Sequence, residues 1–131
     1  MELRVRPGTN QQKRDNVLQR WYRQLLREQI PGLLTKWQPI VGVEANSCSI
    51  KKMKTKWGTC NIKAKRIWLN LELAKKPVQC LEYILVHELI HLLERHHNDR
   101  FRAYMDEFLP QWRTHREELN RAPLAHEDWE Y

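Results

Sequence analysis

The chain has 131 residues, 41% of them hydrophobic and 30% charged, with a formal net charge of +7. That length suits one domain with a real core, and no run of eighteen apolar residues is present to cross a membrane. Cys48, Cys60 and Cys80 are odd in number and lack C-x-x-C spacing, which argues against a disulfide framework or a cysteine zinc site and for reduced thiols in a cytoplasmic protein.

In chain order, Met1 to Arg6 alternates like a short strand and meets a Pro7-Gly8-Thr9 turn. No apolar stretch of a secretory signal is seen there. From Asn10 to about Ile30, Val17, Leu18, Trp21, Tyr22, Leu25 and Leu26 form one stripe at helical spacing, read as core-facing. Pro31-Gly32 is expected to end that helix, and Leu33 to Ile40 to form a second, short one with Trp37 inward. Ser49 to Trp57 alternates as a strand, Gly58 to Asn61 is expected to hold a bend or bulge, Asn61 to Lys65 a hairpin loop, and Arg66 to Leu71 a second strand. A helix follows over Pro77 to Arg95, then one from Asp99 to Leu109 burying Phe101, Met105 and Phe108. The last runs from Gln111 to about Asn120, before a polar tail. The class predicted is α+β: N-terminal helices, a small antiparallel sheet, a central helix and C-terminal helices, in a single domain over residues 1–131.

The charge excess has one location. Between Ala45 and Leu71 there is no Asp or Glu, while Lys51, Lys52, Lys54, Lys56, Lys63, Lys65 and Arg66 fall inside, and outside that window acidic and basic residues balance. Such a patch attracts an anionic partner such as nucleic acid, a phosphorylated substrate or an acidic peptide, or it guards a solvated strand edge.

The helix from Pro77 contains H-E-x-x-H: His87, Glu88 and His91. Residues four apart stand one turn above each other on the same helix face, so both imidazoles can hold one metal ion with Glu88 beside it as general base. Polar groups in so apolar a helix are costly without partners, and a metal is such a partner. His97 follows six residues after His91. A helix running straight on would place it about 240° around, so His97 reaches the metal only if the helix ends near Glu94 or Arg95. Asn98 provides a reason for the break, as the N-cap of the next helix. The spacing equals that of metzincins, but Glu94 stands where their bend has glycine.

Met53-Lys-Thr-Lys-Trp-Gly-Thr-Cys-Asn61, Ile67-Trp-Leu-Asn-Leu71, Tyr83-Ile-Leu-Val-His-Glu-Leu-Ile-His-Leu92 and His97-Asn-Asp-Arg-Phe101 together resemble the YgjP-like metallopeptidase family, a zincin group related to the SprT-like and WLM groups. Lys56, Thr59, His96, Asn98 and Arg102 replace the family's usual Arg, Ser, Asn, Ser and Trp. The resemblance implies a zincin-like fold, with His87, His91 and His97 as zinc ligands and Glu88 as the catalytic glutamate. It also implies that longer members carry a β-rich part before this portion, to which residues 1–8 would belong. In zincins a strand edge beside the metal binds extended substrate by strand addition, which makes Lys54, Lys56, Trp57 and Asn70 the candidate substrate contacts. Tyr83, His96 and Tyr104 are candidates to stabilise an oxyanion. The leading expectation is a zinc-dependent metallopeptidase-type hydrolase acting on a peptide or protein. The alternatives are a metal-dependent hydrolase of nucleotide phosphoanhydrides, and a non-catalytic zinc-stabilised module binding nucleic acid or protein through the basic segment 51–66.

Overall fold

The computed structural model describes residues 9–121 and Trp129. The expected strand at Met1–Arg6 lies outside them. The elements are α1 (Thr9–Val41), β1 (Ser47–Lys51), β2 (Gly58–Asn61), β3 (Arg66–Asn70), a 3-10 turn (Leu71–Lys75), α2 (Val78–Ile90), α3 (Asp99–Phe108) and α4 (Trp112–Asn120). No helix among the described residues is long and apolar enough to cross a membrane.

The α+β class holds, with two corrections. The first concerns Pro31-Gly32, which does not end the first helix: α1 runs through Pro31 and Pro39 to Val41. Each proline removes one backbone bond of the helix. Packing outweighs that loss, because Leu26, Ile30, Trp37 and Val41 are all buried and recur at helical spacing across Pro31. Glu82 of α2 pins the second half, accepting from the Trp37 indole at 2.7 Å and from Lys36 Nζ at 3.0 Å. Gly42, with φ of 83°, then ends α1 in the left-handed conformation open to glycine. Val17, Leu18 and Trp21, expected in the core, are exposed, because nothing among the described residues packs over that turn of the helix.

The second correction concerns the sheet. The hairpin is β2–β3, antiparallel, with Gly58 opposite Leu69 and Asn61 opposite Arg66. The strand expected over Ser49–Trp57 is β1 alone, Ser47–Lys51, and it pairs parallel with the other side of β3. The sheet is therefore mixed, in the order β1-β3-β2. Its loop keeps Lys65 at φ 50°, and Lys65 O accepts from Asn46 N at 2.7 Å, tying the turn back to the approach to β1.

α2 is the centre. Every residue from Tyr83 to Ile90 is buried, and the helix packs on α1, α3, α4, the 3-10 turn, β2 and β3. A helix apolar all round belongs inside a fold, and α2 carries only two buried polar side chains, His87 and Glu88.

Candidate metal centre

α2 places His87 and His91 one turn apart, and their Nε2 atoms lie 3.2 Å from each other. The helix then stops. Ile90 is its last residue, and Leu92 N and Leu93 N bond to carbonyls three residues back, at 3.0 and 2.8 Å. The chain turns there with no left-handed residue, since Lys65 is the only described non-glycine residue with positive φ. Glu94 substitutes for the missing glycine. Its Oε1 accepts from Asn98 Nδ2 at 3.1 Å and from His96 N at 3.3 Å, folding the segment back on itself. Asn98 caps α3 as expected, accepting from Phe101 N at 3.0 Å. The condition on His97 is thus met. Its Nε2 stands 3.2 Å from that of His87 and 2.9 Å from that of His91.

Three nitrogens so close repel unless a cation shares their lone pairs. Tetrahedral zinc bonds of 2.0–2.1 Å require nitrogen separations of about 3.3 Å, close to those present. The tautomers agree. His91 Nδ1 lies 3.1 Å from Glu94 O; a carbonyl only accepts, so Nδ1 carries the proton and Nε2 presents its lone pair to the cluster. Burial lowers the pKa of His91, and that of His97 falls to about 4 through burial and then the neighbouring His91 and His96, so both rings are neutral ligands near pH 7. Phe101 wedges the three rings, its centroid 4.8, 4.7 and 5.0 Å from those of His87, His91 and His97. The residues fit one divalent transition metal.

Glu88 stands beside the cluster, Oε2 3.9 Å from His87 Nε2. That oxygen is buried and has no hydrogen-bond partner among the described residues. Burial pushes the carboxyl up to about 8 in the metal-free site, against a smaller downward pull from Lys56. A carboxyl raised in this way binds a proton in the folded state that the unfolded chain releases, so its contribution to stability falls as pH rises from about 4.5 to 8. In chelator, Glu88→Gln should therefore gain melting temperature relative to wild type as pH goes from 5 to 8. A constant difference across that range would show that Glu88 is not held in a desolvated site.

β2 closes over the glutamate. A Cβ at Gly58 would lie 2.7 Å from Ile84 Cγ2 and 2.9 Å from Glu88 Oε2, so the residue expected to form a bend is glycine because the strand passes so near. Gly58→Ala should cost about 1–3 kcal/mol and displace Glu88, lowering activity. Wild-type melting together with wild-type activity would contradict this. Replacing Glu94 by alanine should loosen the turn and weaken metal affinity by roughly 10–100-fold, measured by competition with a chromophoric chelator. Unchanged affinity would mean that the backbone alone holds His91 and His97.

Beside the cluster opens a cleft of ≈ 670 Å³ lined by β2, the hairpin loop, Lys56, Arg66, Trp68, Arg95 and Trp129. Of the four expected substrate contacts only Lys56 lines it. Lys54 points to solvent, Trp57 is in the core, and Asn70 is fully buried. Asn70 instead ties down the loop before β2, donating to Met53 O at 2.9 Å and Lys56 O at 2.7 Å and accepting from Glu72 N at 3.0 Å. None of the three oxyanion candidates lines the cleft. Tyr104 stacks on Phe108, and His96 is exposed. Tyr83 lies beneath His87 and against Trp112, its phenol pushed far above its ordinary range by burial, with Trp129 near enough to act the other way. No hydrogen bond of good geometry joins those two groups. Cys60 lines the cleft, but burial, then Glu88, pushes its thiol up to about 12, which leaves it a poor nucleophile.

Two cleft features were not read from the sequence. Gly58 carried only a turn signal. Trp129 sits in a polar tail without periodicity, yet its ring packs 4.9 Å from that of His87 and its backbone N and O are both held by the Asn120 side chain, at 2.8 and 2.9 Å.

His87 and Glu88 on the central helix, His91 at its end and His97 in the turn that follows, in a mixed α+β chain, make up the site of a zincin-like metallopeptidase fold. The chain belongs to the YgjP-like metallopeptidase family, whose profile (YgjP-like, metallopeptidase domain) matches residues 1–122. Comparison with curated proteins returns no match. Among solved structures the chain is similar to the metallopeptidase zymogen abylysin of Pyrococcus abyssi, with 22% identity, 67% of this chain and 89% of that one covered, and a TM-score of 0.61. It is also similar to the metallopeptidase zymogen jannalysin of Methanocaldococcus jannaschii, with 25% identity, 61% and 81% covered, and a TM-score of 0.54.

Proposed function

We propose that the protein is a zinc-dependent peptidase in which His87, His91 and His97 hold the metal and Glu88 is the general base. The observation that carries this reading is the unpartnered, buried Glu88 oxygen beside the three imidazoles. A purely structural zinc site closes all its positions with protein ligands and has no use for a free carboxylate. Bound zinc supplies Lewis-acid polarisation of a carbonyl and a water of lowered pKa. The chain supplies the rest. Glu88 takes at Oε2 a proton from the attacking water, whose oxygen bonds the carbonyl carbon, and delivers it to the amine nitrogen as the C–N bond breaks. Lys56, the cation acting on Glu88, favours its ionised form.

Substrate geometry follows from the sheet. β3 is its middle strand, so the Arg66–Asn70 segment cannot accept a further strand. On β1, Arg23 Nη1 already donates to Ile50 O at 3.2 Å. β2 is the edge strand that borders the cleft, and an extended peptide added there passes beside Glu88. That arrangement favours a peptide over a nucleoside triphosphate. The test is metal content of the purified chain by mass spectrometry, together with cleavage of a peptide library before and after chelation. Zinc at one ion per chain and chelator-sensitive cleavage are expected. Absence of bound metal under all loading conditions would overturn the reading.

A further inference from the structure

We propose that the cleft selects peptides bearing carboxylate side chains around the bond presented to Glu88. This rests on the peptidase reading above and names its substrate class. Lys56, Lys63, Arg66 and Arg95 all line the cleft, and among the described residues Glu88 is the only carboxylate that does. The cations come from separate elements: the loop before β2, the hairpin, and the turn between His91 and His97.

Elsewhere, Lys36, Lys75, Arg102, Arg113 and Arg121 each have a carboxylate within 3.0 Å. None of the four cleft cations forms an ion pair among the described residues, and the charge that Lys56 acts on is that of Glu88 itself. Arg66 is also held in place, its guanidinium 4.9 Å from the centre of the Trp68 ring. Unpaired cations of one sign, spaced along a cleft, lower the energy of an anionic occupant and repel a cationic one.

A peptide suits the site better than a nucleic acid. Single-strand nucleic-acid grooves combine cations with bare aromatic faces on which bases stack. Here Trp68 is already taken by Arg66 and by Lys51 at 5.1 Å, and Trp129 packs on His87. The edge of β2, by contrast, offers backbone pairing to an extended peptide, whose side chains then reach the flanking cations.

The test uses the full chain carrying Glu88→Gln, loaded with zinc, so that binding is read without turnover. Fluorescein-labelled peptides with Asp and Glu flanking an apolar centre are compared by anisotropy with Asn/Gln and Lys counterparts, and with an oligothymidylate of equal charge. The acidic peptide should bind roughly tenfold tighter than its amide counterpart at low salt, the scale of two or three exposed ion pairs. The preference should fade in 1 M salt. It should also disappear in a Lys63→Ala, Arg66→Ala, Arg95→Ala background. Lys63→Glu alone, at an exposed loop position, should lower it if the triple variant does not fold.

Equal affinity for acidic and amide peptides overturns the proposal, as does a preference that survives these changes. An oligothymidylate bound as tightly as the acidic peptide overturns it too, and assigns the patch to nucleic acid. Wild-type turnover separates the two readings. Selective binding of acidic peptides with no cleavage of any peptide removes the peptidase reading and leaves the selectivity. Equal kcat/KM on acidic and neutral peptides removes the selectivity and leaves the peptidase.

Discussion

Replacing Glu88 with glutamine should abolish peptide cleavage while leaving the metal bound. The two halves of this outcome have separate causes. Metal retention follows because the three Nε2 atoms, within 3.2 Å of one another, do not involve the glutamate. Loss of turnover follows because an amide cannot take up the proton, and general-base catalysis contributes about 10²–10⁴-fold in rate. Glutamine has nearly the same volume, so the contact beneath Gly58 survives and a folding defect does not explain the loss. The assay is kcat on a cleaved peptide alongside zinc stoichiometry. Retention of more than about a tenth of wild-type kcat would remove Glu88 from the base role, whereas loss of zinc with the activity would make the glutamate part of the ligand set.

Asn70→Ala should be the most damaging substitution away from the metal. The side chain is fully buried and joins two carbonyls of the loop before β2 to the first turn after β3. Alanine leaves Met53 O, Lys56 O and Glu72 N to find other partners, and each buried group left unsatisfied costs about 1–3 kcal/mol. A loss on the order of 3 kcal/mol is expected by urea unfolding, with a fall in melting temperature on the order of 10 °C. Activity should drop as well, because the same loop positions Lys56 and leads into Gly58. Asn70→Asp keeps the acceptor for Glu72 N but turns a second carboxylate oxygen toward Met53 O and Lys56 O in a buried site, so it should cost at least as much as alanine. A loss below about 1 kcal/mol for alanine would mean that the loop is held by other contacts.

The parts of this site that were legible in the sequence are those governed by local period. His87 and His91 follow from a four-residue step in an apolar helix, and the need for a break before His97 follows from 3.6 residues per turn. Asn98 as a cap belongs to the same class. The parts that were not legible depend on distant neighbours. Pro31 reads as a helix end until Glu82, far along the chain, is seen holding Trp37 and Lys36. The parallel pairing of β1 leaves no mark in its own five residues. On a strand edge expected beside the metal Asn70 reads as a substrate contact, but both its donated bonds go to the loop before β2, to Met53 O and Lys56 O. Val17, Leu18 and Trp21 have helical spacing whether or not anything covers them.

Of the three clustered imidazoles, that of His87 belongs to α2, the most enclosed element of the fold, that of His91 caps its end, and that of His97 lies in an exposed turn of irregular backbone. The site thus has one fixed side and one adjustable side. Sequence drift within α2 from Tyr83 to Ile90 meets the packing of nearly every other element at once, so that half is inherited with the fold itself. Drift between Leu92 and Asn98 meets mainly solvent and Glu94. Changes in that one surface turn would therefore alter how firmly the proposed metal is held while the hydrophobic interior stays as it is.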